Sequence, residues 1–312
     1  MRIFPDGKLI SIYRTANCKV NGDRNVSIGF FYVYSKKSME KNSVLIPRQP
    51  FLVMTTDRYL KKTFYKYGVS HFYQMEVAEN KSLAVHIPDC CVDIMFYCNK
   101  SNNDRGADIV GSRLKPLSIP MRAGYSYFGI RFMPGFVPPM LHIRMADVFD
   151  QTISLEDEMQ KNCWCDEILE KCVFEERIDV FWEHYLPKYK SRKVSSGKER
   201  LVEYVVDKNI SSKGTVLLKN LAEETKYSER YINRIFKESI GITPKKFARI
   251  IRFQNAIQDF EAGMNPTEIS YQLNYYDCAH MVKEFREMCG MSPSELKSRL
   301  DNVDFYNKLV VL

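Results

Sequence analysis

The chain has 312 residues, with 46 Lys and Arg against 38 Asp and Glu and a formal net charge of +8. That length exceeds one ordinary hydrophobic core and fits about two domains of 100–200 residues. A 45% apolar and 27% charged composition excludes a disordered chain, and no run approaches the roughly 18 apolar residues that cross a bilayer.

The opening stretch MRIFPDGKLISIYR has no apolar core followed by a small-residue cleavage site, so secretion is not expected. Nine cysteines at irregular spacing suit reduced thiols in a cytosol better than a disulfide framework, and the expected location is cytoplasmic, with no membrane partner. Over the first 70 residues, PRQPF reads as loop and TTDRYLKKTFYKYG as helix. Up to about residue 150, short aromatic and β-branched runs follow one another: SIGFFYVYS, SHFYQMEV, LAVHIPD, VDIMFYC and YSYFGIRFM. Turn formers lie between several of them, which predicts an antiparallel β domain over 1–150, a barrel or a sandwich.

From Ile153 the apolar spacing changes to three and four residues, through SLEDEMQ, EILEKCVF and IDVFWEHYL, and predicts amphipathic helices. The stretch PKYKSRKVSSGKER, 187–200, has clustered Lys and Arg without apolar periodicity and reads as a linker. A helical connector and basic linker are therefore assigned to 151–197. Beyond them, helices are expected near 198–208, 216–224, 228–240, 244–262, 266–273, 278–288 and 293–300. They compose an all-α domain over 198–300, with a tail over 301–312. The fold class is α+β and multidomain, with a barrel-like β-rich N-terminal domain.

The last helices repeat themselves. FKESIGITP and FREMCGMSP match at Phe236 and Phe285, Gly241 and Gly290, Thr243 and Ser292, and Pro244 and Pro293, each pair 49 positions apart. In the first copy Ser228 can cap a helix whose Ile232, Ile235, Phe236 and Ile240 form one apolar stripe. Arg230, Arg234 and Lys237 lie opposite, with Asn233 on the flank. Two short helices, a tight turn and a cationic outer face describe a helix-turn-helix. Arginine pairs bidentately with guanine and asparagine with adenine. In the second copy Asp277 is the cap, Met281, Phe285 and Met288 the stripe, and His280 and Lys283 face outward beside Ala279. One such face could be merely solvated; its recurrence argues for two recognition helices. The helix between them, PKKFARIIRFQNAIQDFEAG, spans about 27 Å over some 18 residues. That suits two helices entering successive major grooves, about 34 Å apart, on one face of DNA.

Residues 198–300 resemble the DNA-binding domain of AraC/XylS-type transcription regulators. The agreement covers both helix-turn-helix units, the connecting helix with Arg252 and Ala256, and the ending F-x-x-x-x-G-x-S-P. The resemblance implies DNA contacts by Arg230, Asn233, Arg234 and Lys237 in the first unit, and by Ala279, His280 and Lys283 in the second. Asn274, Ser270 and Met281 depart from the usual Gly, Ala and aromatic residue, and Cys278 and Ala279 offer little hydrogen bonding for base reading. Upstream, IPDCCVDIMFYC and GIRFMPGF resemble the motifs P-D-G-x-x-D and G-x-R-F-x-P-G of some β-rich N-terminal domains in these regulators, with Cys90 in the glycine position. That implies a cupin-like sensory or dimerising domain.

Other chemistry finds little support. His71, His86, His142, His184 and His280 are scattered, and Cys163, Cys165 and Cys172 lack paired C-x-x-C units, so no metal or other cofactor is expected. The four-cysteine zinc arrangement of alkyl-acceptor repair proteins, a phosphate loop and a nucleophile elbow are missing. Asp93 and Arg131 suit a structural ion pair more than a ligand pocket, and Tyr73, Phe96, Tyr125 and Phe128 suit the core. The reading is a DNA-binding transcription regulator, not an enzyme, that binds duplex DNA in the major groove. Its further expected partners are a second copy in a homodimer, a small-molecule effector and, for an activator, RNA polymerase. The alternatives are an N-terminal domain that binds only another protein, and an enzyme fused to a DNA-binding domain.

Overall fold

Residues Arg58–Lys66, expected as helix, form a strand (β3). A two-residue turn with positive φ at Tyr67 (56°) and Gly68 (80°) folds the chain back at once into β4, Val69–Glu76, in an antiparallel hairpin. Two successive positive φ values match the right-handed strand twist and so favour a hairpin. Pairing on both sides overrides the helix-like spacing of Tyr59, Leu60, Thr63 and Phe64. Conversely, PRQPF, expected as loop, opens a short helix α1, Pro50–Thr55, in which Pro50 takes a first-turn position that needs no N–H donor.

The computed structural model describes residues 2–3, 9–10, 45–77, 83–99, 101, 103–155, 164–192, 195–301 and 308–312. It divides into two units, Met1–Val44 and Leu45–Leu312. In the first, β1 (Arg2–Ile3) and β2 (Leu9–Ile10) pair antiparallel.

In the second unit, β3 and β4 join β6 (Val92–Asn99), β7 (Asp104–Gly111), β9 (Ser126–Phe132), β10 (Thr152–Ser154) and β11 (Leu309–Val311). The order is β10-β7-β6-β9-β4-β3-β11, while β5 (Leu83–His86) and β8 (Leu117–Pro120) form a separate pair. The expected barrel does not close, because β10 and β11 are edges with one neighbour each. Both sheet faces are instead covered by other elements, so burial needs no closure. The tail assigned to 301–312 supplies β11, which pairs parallel with β3.

Strand alternation divides the sheet. Phe72, Phe96, Phe128 and Phe132 point to one face and meet two helices, α3 (Trp164–Glu170) and α4 (Phe174–Lys190). Ring centroids lie 5.7 Å apart for Phe96–Trp164, 5.9 Å for Phe128–Phe174, 5.5 Å for Phe72–Phe181 and 6.0 Å for Phe132–Tyr185. Helix α4 runs on to Lys190, with Pro187 in its last turn, so the segment expected as linker is partly helical. Cys163 lies outside the described residues.

The remaining helices are α5 (Gly197–Ser211), α6 (Leu218–Thr225), α7 (Glu229–Ile240), α8 (Pro244–Glu261), α9 (Pro266–Gln272), α10 (Cys278–Cys289) and α11 (Pro293–Leu300). Their starts follow local chemistry. Ser196 and Glu199 form a capping box for α5, Thr243 caps α8 ahead of Pro244, and Ser292 and Glu295 form the box for α11. Helix α8 is the spine. Phe247 meets Phe236 of α7 at 5.4 Å, and Phe253 and Phe260 meet Phe285 of α10 at 4.9 and 5.6 Å.

Candidate nucleic-acid interface

Helices α6 and α7 form the first helix-turn-helix. Lys226, at φ 60°, ends α6 in the left-handed conformation, and the Ser228 hydroxyl accepts from the Tyr231 N–H at 3.2 Å to start α7. Ile232, Ile235, Phe236 and Ile240 are buried, which turns Arg230, Arg234 and Lys237 into solvent and leaves Asn233 half-buried. The Arg234 guanidinium is held in place from two sides. It donates to Glu238 at 3.1 Å and lies 5.2 Å from the centre of the Tyr231 ring. Gly241 closes α7 at φ 92°. A Cβ there would come within 3.1 Å of Ala146 and Phe149, beside α2 (Met145–Val148).

Helices α9 and α10 form the second unit. Asn274 adopts φ 52°, and the Asp277 carboxylate accepts from the His280 N–H at 2.6 Å. Met281, Phe285 and Met288 are buried; Ala279, His280 and Lys283 are exposed. The structure thus gathers the expected contact residues on the outward faces of two helices that share one spine.

Sequence reasoning missed Glu284. It stands where the first copy has the buried Ile235, and it is itself only 1% exposed. Its carboxylate accepts from Arg249 Nε at 2.9 Å, Arg252 Nη2 at 3.3 Å and the Tyr275 hydroxyl at 2.9 Å. Three donors offset the cost of burying the charge and lock α10 to α8. The signal was its position in the stripe between Met281 and Phe285.

Residues 221–299 match the family described as a helix-turn-helix domain. That match supports the resemblance of the segment to the DNA-binding domain of AraC/XylS-type regulators. Residues 66–154 match a domain of unknown function (DUF6597). The chain is similar to the uncharacterized HTH-type transcriptional regulator YbfI of Bacillus subtilis strain 168, at 33% identity over 66 residues. That match spans 21% of this chain and 24% of the relative's length. Among solved structures, the C-terminal domain of AraT, a response regulator from Geobacillus stearothermophilus, is similar at 21% identity and a TM-score of 0.30, covering 35% of this chain and 88% of that one. ToxT from Vibrio cholerae O395 is similar at 12% identity and a TM-score of 0.39, covering 74% of this chain and 97% of that one.

Upstream of its helix-turn-helix units, the chain has a cavity of about 260 Å³ on the sheet face opposite α3 and α4. Strand residues Tyr73, Met75, Asp93, Met95 and Tyr127 form its floor, with Ile119, Met121 and His86 from β5–β8 and the loop after β8 across it. Gly129 is required here, since a Cβ would lie 1.9 Å from the Tyr73 ring. That ring lies along the sheet and its hydroxyl donates to Asp93 at 2.8 Å. Arg131 grips Asp93 with two hydrogen bonds, 2.8 and 2.6 Å, and its Nη1 lies 3.3 Å from Asp89. Cys90, in the expected glycine position, takes φ 58° and presents its N–H to Ser112 at 2.8 Å. Burial, with Asp89 beside them, pushes the Cys90 and Cys91 thiols up, so neither is poised as a nucleophile. His86 is pushed down to about 3 by burial and by Arg131. Arg131 lies 3.4 Å from its Nε2 and can only donate, so the proton sits on Nδ1, which is buried without a partner. Among the described residues, no three His, Cys, Asp or Glu side chains assemble as metal ligands. No helix there is long and apolar enough to cross a membrane.

Proposed function

We propose that this chain is a transcription regulator that binds duplex DNA through both helix-turn-helix units, and that a small molecule in the sheet cavity controls it. The observation that carries the DNA reading is the duplicated geometry. Two capped helices on one spine turn Arg230, Arg234 and Lys237, and His280 and Lys283, outward. Lys and Arg supply salt-dependent affinity for phosphates, and Arg234 with Asn233 supplies base reading. The test is selection of duplexes from a randomised pool by the full chain. Enrichment of one sequence with two contacted segments about one helical turn apart is expected; failure to enrich any duplex overturns the reading.

The cavity supports the control half of the proposal. Its lining is mostly apolar, with the unpaired His86 donor at one side. The chemistry fits a small, largely apolar molecule that carries a hydrogen-bond acceptor. A hydrogen-bonded route leads from it to the spine: Arg131 pairs with Asp89, Gln49 donates to Asp89 at 2.8 Å, and Gln254 of α8 donates to Pro88 at 2.7 Å and accepts from the Arg48 N–H at 2.7 Å. A metabolite screen by thermal shift on the full chain tests this. A ligand at 100 times its Kd stabilises by about 2.7 kcal/mol, and His86→Ala is expected to weaken it. RNA polymerase and a second copy are further proposed partners. The apolar stripe of α4 is spent on the sheet through Phe174, Phe181 and Tyr185, so dimerisation would use another surface.

A further inference from the structure

The duplication carries one pair of residues that the reading above leaves unused. Tyr227 and Tyr276 occupy the same place in the two copies, immediately before the N-cap residues Ser228 and Asp277 of the recognition helices α7 and α10. Both are exposed, Tyr227 to 46% and Tyr276 to 92%, and Tyr276 is the most exposed large apolar side chain among the described residues. Nothing among the described residues explains why a ring of that size is kept in water at this position. Neither hydroxyl has a hydrogen-bond partner among the described residues.

We propose that Tyr227 and Tyr276 are the backbone anchors of the two units, each donating its phenol hydroxyl to a phosphate at the rim of the groove its helix enters. The inference rests on the DNA-binding reading. A residue just ahead of a recognition helix sits at the rim when the helix N-terminus points into the groove, and the positive end of the helix dipole draws a phosphate to the same place. Tyrosine is a neutral donor, so it adds position without adding to the counterion release that Lys and Arg produce. The two copies differ in preparation. Tyr227 stacks on Tyr231 at 5.0 Å and 22°, and Tyr231 in turn lies beneath Arg234 at 5.2 Å. Anchor and reading arginine are thus organised together in the first unit. In the second, Tyr276 stands free, while its neighbour Tyr275 is buried, bonded to Glu284. With Cys278 and Ala279 as poor readers, the second unit grips more than it reads.

The experiment uses the full chain and the duplex that the parent chain enriches from a randomised pool. Tyr227→Phe and Tyr276→Phe keep the rings and remove only the hydroxyls. Each is expected to raise Kd about five- to tenfold, with the ranking of single-base duplex variants and the slope of affinity against salt unchanged. Tyr271→Phe is the control. Tyr271 is 87% exposed in the same unit but lies on α9, ahead of the turn, and its variant is expected to bind like the parent. Parent-like binding by Tyr227→Phe and Tyr276→Phe overturns the proposal, and would leave the exposed ring of Tyr276 to a protein partner. An altered base ranking, or an equal loss in Tyr271→Phe, overturns it as well. If the parent chain itself enriches no duplex, the DNA reading fails first and the anchors fail with it, an outcome separate from any behaviour of the variants.

Discussion

Arg131 and Asp93 concentrate the electrostatic risk of the N-terminal sheet. Both are almost fully buried; Asp93 takes two of the guanidinium's hydrogen bonds, and Asp89 lies 3.3 Å from Nη1, which has charge balance there but no hydrogen bond. Removing one partner of such a pair leaves the other as an uncompensated charge. Asp93→Asn is therefore expected to destabilise the chain by about 3–5 kcal/mol, read by urea unfolding. His86 gives a pH dependence of known sign. Its folded pKa, about 3, lies below the ordinary 6.5, so the unfolded state binds the proton first as pH falls. Stability is complete above about pH 6.5 and is lost progressively below it. Between pH 6.5 and 5 the loss from this group is about 2 kcal/mol. Urea midpoints over that range should fall less steeply in His86→Asn. His71, held low by burial, pulls the same way and remains in the variant.

Helices α7 and α10 are near-copies built on different interiors. Helix α7 buries Ile235 and α10 buries Glu284 at the equivalent place, where three donors from α8 and the turn before α10 converge. Glu284→Gln is expected to cost about 3 kcal/mol and to weaken DNA binding through the orientation of α10. Calorimetry and binding to the selected duplex read the two effects; a stable variant with parental affinity would remove Glu284 from this role. On the outward faces, Arg234→Ala is expected to cost about 1–3 kcal/mol of binding and to relax base preference locally. Lys283→Ala should instead weaken all sequences and reduce the salt slope by about 1. Titrations across single-base variants and several salt concentrations separate the two patterns.

The spine α8 serves two masters. One side carries both helix-turn-helix units, and the other receives the N-terminal segments: Arg48 pairs with Glu261 at 2.9 Å, Gln258 accepts from the Ile46 N–H at 3.2 Å, and Gln254, fully buried, bonds Arg48 and Pro88. Pro88, just upstream of strand β6, which supplies Asp93 and Met95 to the cavity floor, is thus bonded to the helix that carries both units. Gln254→Ala is expected to raise hydrogen exchange at residues 45–49 and 86–89. It should also uncouple a cavity ligand from DNA affinity while leaving ligand affinity within about threefold, since a lost coupling of 1–3 kcal/mol lies between sites and not within one. Unchanged coupling would show that control runs elsewhere.

The helices from 197 onward were legible because each is written locally. Ser196, Ser228, Thr243, Asn265, Asp277 and Ser292 all accept from backbone N–H groups at helix starts, and Gly241 and Gly290 end helices at positive φ. Caps and 3.6-residue periodicity act within a few residues, so one sequence carries them whole. The outward set of Arg230, Arg234, Lys237, His280 and Lys283 follows from the same periodicity. What only the tertiary structure decided is non-local. Arg58–Lys66 is a strand because β4 and β11 pair with it, and the sheet stays open because helices and the separate β5–β8 pair cover its faces. The charge of Glu284 is tolerated inside because Arg249 and Arg252, 35 and 32 positions away, come to it. Strand pairing and buried charges depend on partners distant in the chain, and a helical or solvated reading of either is locally just as good until those partners arrive.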